Sequence, residues 1–407
     1  MTDSIQVQGW CPTAWQPMRA QDGWIVRVRP HCAAVGAAQW RVLAELALAH
    51  AHPQIELTRL GNVQLRGVGT QQLPAVRLQL IEAGLVPADA DADLAPAVHC
   101  TPLYRRGDAT HALARQLSAA VLERLSPAAL ARAGLQALPS KFGLLVDDPA
   151  WRMQGMGADL RLWADADAGY GLALGGSVQW HGFAQAEEAV DAAVRMALWF
   201  AGERSAMAPA PTRLRGLLPL RTPQIAAPRH TAAQSGGPLP PGPHSGYGQI
   251  LGAPLGRIDA AAMRELAMQL PVDAELRVTP WRSLLLADRF FSPRDAAHWI
   301  TAPDDARLRV SACTGAPRCT QGHVQSQALA LALAGGVPPH RHLHVSGCAK
   351  FCALPADASA LLCAGPDTGG TPLLHASCGN APRTPISSVA ADEAPAEITR
   401  LLHDLYL

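Results

Sequence analysis

The chain has 407 residues, 49% of them hydrophobic and 16% charged, with 34 Lys plus Arg against 33 Asp plus Glu. That length accommodates two to four domains and a real core, and the composition excludes wholesale disorder. A formal net charge of +1 excludes the broad basic footprint of a nucleic-acid binder. No run approaches the ~18 apolar residues of a membrane span.

The first residues, Met1-Thr2-Asp3-Ser4-Ile5-Gln6, carry neither a basic start nor an apolar stretch. No secretory leader is therefore expected, and the protein is read as cytoplasmic. Nine Cys in that compartment are not expected to form a disulfide framework.

In chain order, residues 22–29 alternate as a strand, residues 37–49 carry a helical period, and residues 55–58 and 62–67 read as further strands. Residues 87–96 form an Asp/Ala-rich break. A helix over 110–124, strands over 141–148 and 159–163, and an amphipathic helix over 187–200 follow. Residues 205–246, dense in Pro and Gly, read as a linker or long surface crossover. Beyond it, a strand at 248–253, a helix at 260–268 and strands at 275–279 and 283–287 repeat the first unit. A strand at 307–310 runs into a cysteine region, and turn residues cluster again at 365–372. Duplicated α/β halves fit this order.

Only two of the basic residues are Lys, at Lys141 and Lys350. In a chain that otherwise uses Arg, each is a candidate for a role that needs an ammonium.

Four Cys fall into two pairs, Cys313-x5-Cys319 and Cys348-x3-Cys352, each after a short β-like run. The first pair precedes a helix over 324–334, and the second sits where a helix could begin, which would put Cys348 and Cys352 on one face. Structural zinc prefers two to four residues between paired Cys, so the five-residue gap fits it poorly. Unrelated buried thiols remain open. Four thiolates around a 4Fe–4S cluster suit the pattern best. The other five Cys are isolated and read as packing residues. His340, His342 and His344 alternate on a strand before Cys348, but no His triad with a carboxylate stands out.

The contexts Cys-Thr-Gly-Ala-Pro-Arg-Cys and His-Val-Ser-Gly-Cys-Ala-Lys-Phe-Cys, the duplication, and the strand running into Asn62-Val63-Gln64-Leu65-Arg66-Gly67 resemble the nitrite/sulfite reductase haemoprotein superfamily. Within it, Gly9-Trp10-Cys11-Pro12, Thr279-Pro280-Trp281-Arg282 and the segment around Cys348 are most similar to the precorrin-3B synthase family. The resemblance implies an α+β fold of duplicated ferredoxin-like half-domains plus two sulfite-reductase-type α/β domains, related by a pseudo-two-fold. The corresponding divisions are 1–90, 91–204, a linker at 205–246, then 247–304 and an iron–sulfur-binding domain at 305–407. It implies an O2-dependent monooxygenase of aerobic cobalamin biosynthesis that hydroxylates C20 of precorrin-3A and closes a γ-lactone. The implied cofactors are a 4Fe–4S cluster on Cys313, Cys319, Cys348 and Cys352 and a mononuclear non-haem iron. A separate reductase is the implied electron donor, since neither a dinucleotide fingerprint nor a P-loop is present.

A tetrapyrrole carries many carboxylates, so its site needs convergent cations, preferably Arg. Arg66, Asn62 and Gln64 are the strand candidates, with Arg282 in the second repeat. The family's basic strand residue falls at Leu60, and Arg59 lies one position off. If the strand stays regular, Arg59 faces away from Asn62, Gln64 and Arg66. Lys141 resembles the first of two anion-facing lysines of sulfite reductases. The second falls at Gly143, and a further anion-binding Arg finds only Ala95-Pro96-Ala97. This argues against sulfite or nitrite reduction, which needs a dense cationic pocket. Phe351 and Leu354 stand where relatives have Gly and His. A sirohaem-dependent reductase, a non-catalytic iron–sulfur or tetrapyrrole-binding protein, and a zinc-structured module are the competing readings.

Overall fold

The computed structural model describes residues 11–165, 169–225, 228, 230–231, 235–293, 297–366, 371–378, 387–392, 397–400 and 403. The segment before Cys11, and with it Gly9 and Trp10, lies outside them, as do residues 367–370 of the turn cluster at 365–372.

Apolar residues at alternate positions build the first sheet. Val26 and Val28, Ile55 and Leu57, and Val63 and Leu65 all point into one core. Period-two alternation then leaves Arg27, Glu56, Gln64 and Arg66 on the opposite face. The strands lie antiparallel in the order Met18–Ala20, Gly23–Val28, Val63–Val68, Gln54–Leu57 and Arg257–Asp259. The second sheet has the matching order Gly242–His244, Gly248–Gly252, Ser283–Ala287, Glu275–Val278 and Ala34–Gly36.

The last strand of each sheet comes from the other half of the chain. Arg257 pairs with Glu56 in the first sheet, and Ala34 pairs with Arg277 in the second. Helices Ala37–His50 and Ala260–Gln269 pack against each other beneath this exchange. Trp40 is wholly buried there and donates its Nε1–H to the Leu276 carbonyl at 3.3 Å. One hydrophobic core therefore serves both halves.

Two further sheets share a topology of their own. Ala97–Cys100, Gly143–Asp147 and Leu160–Asp165 run parallel, and Gly169–Leu174, Gln179–Phe183 and His230–Thr231 continue antiparallel. Helices Ala109–Leu125 and Ala186–Ser205 pack on this sheet. In the other, Val310–Ala312, Leu343–Ser346 and Ala360–Gly365 run parallel, followed by antiparallel Leu373–Cys378 and Ser387–Ala390. The duplication therefore extends to the second pair of sheets.

Several local expectations change. Residues 307–310 do not form a strand: Ala306–Arg309 is a 3-10 turn, and the strand is Val310–Ala312. No helix begins at Cys348, because Phe351 takes a left-handed φ of 50° that ends any helical path. His340 also has a left-handed φ, 63°, and lies before the strand, so only His344 is a strand residue. The break at 87–96 contains the short helix Ala90–Leu94, capped by Asp89. The Pro/Gly-rich segment carries the helix Leu214–Leu217, whose two leucines are buried in the core of the six-stranded sheet. Among the described residues no helix is long and apolar enough to cross a membrane.

Candidate functional site

The residues from Thr58 to Asn62 are not strand but the turn of a hairpin. The Thr58 N–H donates to the Asn62 carbonyl at 2.9 Å, and Gly61 takes a φ of 66°. Strand alternation therefore does not apply to Arg59. It stands exposed at the hairpin tip, while Asn62 is buried.

Across the polar face of the first sheet, four residues on four strands form a continuous row. Arg27 donates to Gln64 Oε1, Gln64 Nε2 donates to Glu56 Oε2 at 3.1 Å, and Arg257 Nε donates to Glu56 Oε1 at 3.2 Å. Gln64 is thus held on both sides. Arg66 is half-buried and donates Nε to Asp22 Oδ2 at 2.7 Å, an oxygen that His52 Nε2 also approaches at 3.0 Å. Burial acts to raise the Asp22 carboxyl, but the hydrogen bond and charge of Arg66 outweigh it and hold it below the usual value.

One end of this face opens into a cavity of about 560 Å³, lined by Arg27, Arg29, Asn62, His99, Lys141 and Arg213. Arg29 pairs with Asp93 at 3.6 Å, and Arg213 pairs with Asp159 at 3.2 Å. Arg27 donates to the neutral Gln64 amide and also meets Cys11, and neither Arg27 nor the exposed Lys141 has an ion pair among the described residues. The net positive charge therefore comes from Arg27 and Lys141. Burial, then Arg29, lowers His99 to about 4, so its imidazole is neutral near pH 7. Leu60, Gly143, Ala95, Pro96 and Ala97 line the same cavity, so its walls are uncharged at those positions.

A second cavity, about 680 Å³, is lined by Arg59, Trp281, Arg282, Ser311 and His342. Met156 lines both cavities, and the adjacent Arg59 and Leu60 at one hairpin tip face one each. Ser311 Oγ lies 2.9 Å from both His342 Nε2 and His344 Nδ1, so two of the three histidines meet at one hydroxyl. His340 does not join them.

Val310 and Ser311 of one strand, and His342 just before the next, wall this second cavity, and both strands lead into the cysteine loops. Cys313 follows Val310–Ala312, and Cys348 follows Leu343–Ser346. Both pairs therefore lie beyond the carboxyl ends of adjacent parallel strands, a usual place for a bound group in an α/β sheet. The loops touch: the Gly347 N–H donates to Cys313 Sγ at 3.1 Å, and Cys313 N–H donates to the Val345 carbonyl at 3.2 Å. A Cβ on Gly347 would lie 3.0 Å from Ser326 Oγ, so only glycine admits this approach comfortably. Burial raises the Cys348 thiol, the Lys350 main-chain N–H opposes it, and Cys319, Cys313 and Cys352 raise it further. The other three cysteines of the two pairs thus all act on Cys348. Cys319 also meets Gln21, whose Oε1 accepts the Thr320 N–H at 3.0 Å. This docks the first loop against the first sheet. Within the same loop, Arg318 bonds Gln54 on that sheet.

The donor set fits a cube of iron and sulfide. Among the described residues no three His, Cys, Asp or Glu surround one point as a single ion requires. A 4Fe–4S cube places its thiolates on separate irons and so needs only a ring of sulfurs, with N–H donors favouring thiolate. No ligand set for a mononuclear iron is present among the described residues. Spacing alone missed Cys363. It pairs in register with Ser346, and burial, Cys348 and Cys313 push it up to about 11. It also missed Cys32 and Cys100, buried thiols that hydrogen-bond each other. Both contacts join segments far apart in the chain, which no local motif reports.

Residues 16–83 match the model of the nitrite/sulfite reductase ferredoxin-like half domain. A precorrin-3B synthase from a Sinorhizobium species is 25% identical over 394 residues, covering 89% of this chain and 82% of that protein. The Mycobacterium tuberculosis NirA protein is similar in fold, with a TM-score of 0.63 and 17% identity over 94% of this chain and 80% of that one. The superfamily resemblance, the likeness to a precorrin-3B synthase and the duplicated ferredoxin-like architecture are borne out.

Proposed function

We propose that this protein is an oxidoreductase of cobalamin biosynthesis that converts precorrin-3A to precorrin-3B with O2, by C20 hydroxylation and γ-lactone formation. The similarity to a precorrin-3B synthase across most of both chains supports the pathway. The observation that carries the choice of chemistry is the cavity at Lys141. A site that reduces a small oxyanion needs several convergent cations. Here Leu60, Gly143 and Ala95 to Ala97 line that cavity, leaving Lys141 and Arg27 as its uncompensated charges.

In this reading Lys141 and Arg27 hold substrate carboxylates, and buried Asn62 orients the macrocycle edge by hydrogen bonding. Arg66 contributes field from the sheet face while anchored to Asp22. Gln64 acts through Arg27, fixing its guanidinium rather than reaching the substrate. Met156 lines both cavities, and a ring held against residues of both would keep one orientation, which is how a protein imposes a single site of attack. A 4Fe–4S cluster on Cys313, Cys319, Cys348 and Cys352 would supply one-electron transfer when bound. Electrons reach it from a separate reductase.

The test is anaerobic purification with iron, sulfide and EPR analysis, followed by turnover of precorrin-3A with O2 and a reductant. About four irons with matching sulfide and a hydroxylated, lactonised product by mass support the reading. Stoichiometric sirohaem with sulfite or nitrite reduction overturns it. Iron–sulfur without product leaves a binding protein.

A further inference from the structure

The two half-domains repeat each other down to their hairpin tips. In the first, Thr58 Oγ1 accepts from the Leu60 N–H at 3.3 Å and the Asn62 N–H at 3.1 Å. In the second, Thr279 Oγ1 accepts from the Trp281 N–H at 3.2 Å and the Ser283 N–H at 3.3 Å. The threonine N–H closes each turn, onto Asn62 O at 2.9 Å and Ser283 O at 3.0 Å. The fourth residue of each tip is left-handed: Gly61 at φ 66° and Arg282 at φ 58°. Glycine adopts that conformation freely, whereas any L side chain is strained in it.

The second repeat is also cut away to admit this arginine. A Cβ on Gly256 would lie 2.6 Å from Arg282 Cδ and 3.0 Å from its Cβ. The matching turn residue of the first repeat, Ala33, carries its methyl at φ 59°. Gly61 with Ala33 has thus become Arg282 with Gly256, two changes that both serve one side chain.

Among the described residues no group hydrogen-bonds that side chain. Arg282 Nε is buried with no hydrogen-bond partner, and the guanidinium faces the 680 Å³ cavity together with Arg59. Arg59, from the first repeat's tip, makes no hydrogen bond or ion pair among the described residues. Glu56 is held by Gln64 and Arg257, while Asp357 is an exposed side chain lying 3.8 Å from His342. Burial, then Arg59 and Arg257, lower Arg282 to about 10, the mark of a cation lacking a close counter-ion. Leu239, Leu255, Trp281 and Leu308 supply apolar wall around the two arginines, and Asp357, Ser311 and His342 line the same cavity.

We propose that the second-repeat cavity is a carboxylate-binding subsite in which Arg282 and Arg59, one from each hairpin tip, clamp an acid group carried on an apolar body. Resting on the tetrapyrrole reading above, the occupant is one acidic arm of the substrate, reaching past Met156 from the Lys141 cavity. A strained, partnerless arginine is then a binding residue retained against backbone preference.

The full-length protein is titrated with uroporphyrin III, an octacarboxylate tetrapyrrole, by fluorescence quenching. R282G and R59Q are each expected to bind at least tenfold more weakly. R282G should melt no lower than wild type, because glycine relieves the left-handed tip, and R282K should recover part of the affinity. If wild type binds, K141Q weakens binding, and R282G and R59Q bind as wild type does, the subsite is overturned while the tetrapyrrole reading stands. If wild type does not bind, both fall together.

Discussion

Arg27 and Gln64 stand opposite each other on neighbouring strands, and the Arg27 Nε and Nη2 both donate to Gln64 Oε1, at 2.9 and 2.6 Å. A neutral amide thus orients a cation without cancelling its charge. The same amide passes its own N–H to Glu56, which accepts Arg257 on its other oxygen. A sheet face that must attract carboxylates can in this way be rigid and still positive.

Q64L removes both links of that row. Arg27 and Glu56 each lose a half-buried partner, and a cost of about 1–3 kcal/mol is expected. Thermal and denaturant unfolding measure it. The uroporphyrin affinity should fall as well, since Arg27 loses its orientation, whereas Q64E should keep the fold but weaken anion binding by lowering the local charge.

K141Q is expected to raise the KM for precorrin-3A about five- to tenfold with kcat within twofold, the pattern of a group that binds ground state and transition state alike. K141R should restore less than full affinity, since a planar guanidinium replaces a compact ammonium. Steady-state kinetics decide both.

C348S and C319S should each abolish cluster loading, seen as loss of iron, of sulfide and of the reduced EPR signal after anaerobic reconstitution. C363S, although its thiol lies near Cys348 and Cys313, should retain the full cluster. G347A should load poorly, because a Cβ there would sit 3.2 Å from Gly315 Cα and 3.4 Å from Cys313 Sγ.

His344 has no exposed surface, and burial, then His342, Arg59 and Arg282, lower it from 6.5 to about 4. Above about pH 6.5 it is neutral in both folded and unfolded chains and adds no pH dependence. Between there and about pH 4 only the unfolded chain takes the proton, so stability falls as pH falls and levels off below. The expected loss is on the order of 1–3 kcal/mol. Denaturant midpoints from pH 7.5 to about 4 should show it, and H344N should flatten that limb.

The duplication was legible because its signal is local. Each unit repeats strand, helix and strand with the same polarity pattern, and each ends in Thr followed by the same kind of turn. The grouping of four cysteines into two pairs, which the structure sets on touching loops, was legible because their spacing and glycine neighbours are short-range. Arg59 was not, because the parity argument assumed a regular strand, whereas Thr58 and Gly61 fold the chain back within five residues. The expected helix at Cys348 failed for a related reason, since periodicity does not register one left-handed residue such as Phe351.

The amino-acid sequence by itself determined which segments alternate, which residues bring thiol or guanidinium chemistry, and that the halves correspond. Only the tertiary structure decided that the halves exchange edge strands, Ala34–Gly36 for Arg257–Asp259, and that Arg59 and Arg282 come to share one cavity. Hydrogen bonds between strands some two hundred residues apart leave no periodic trace, because either edge satisfies any strand's backbone donors. What selects the partner is the single core that the two helices can bury only when the sheets are joined.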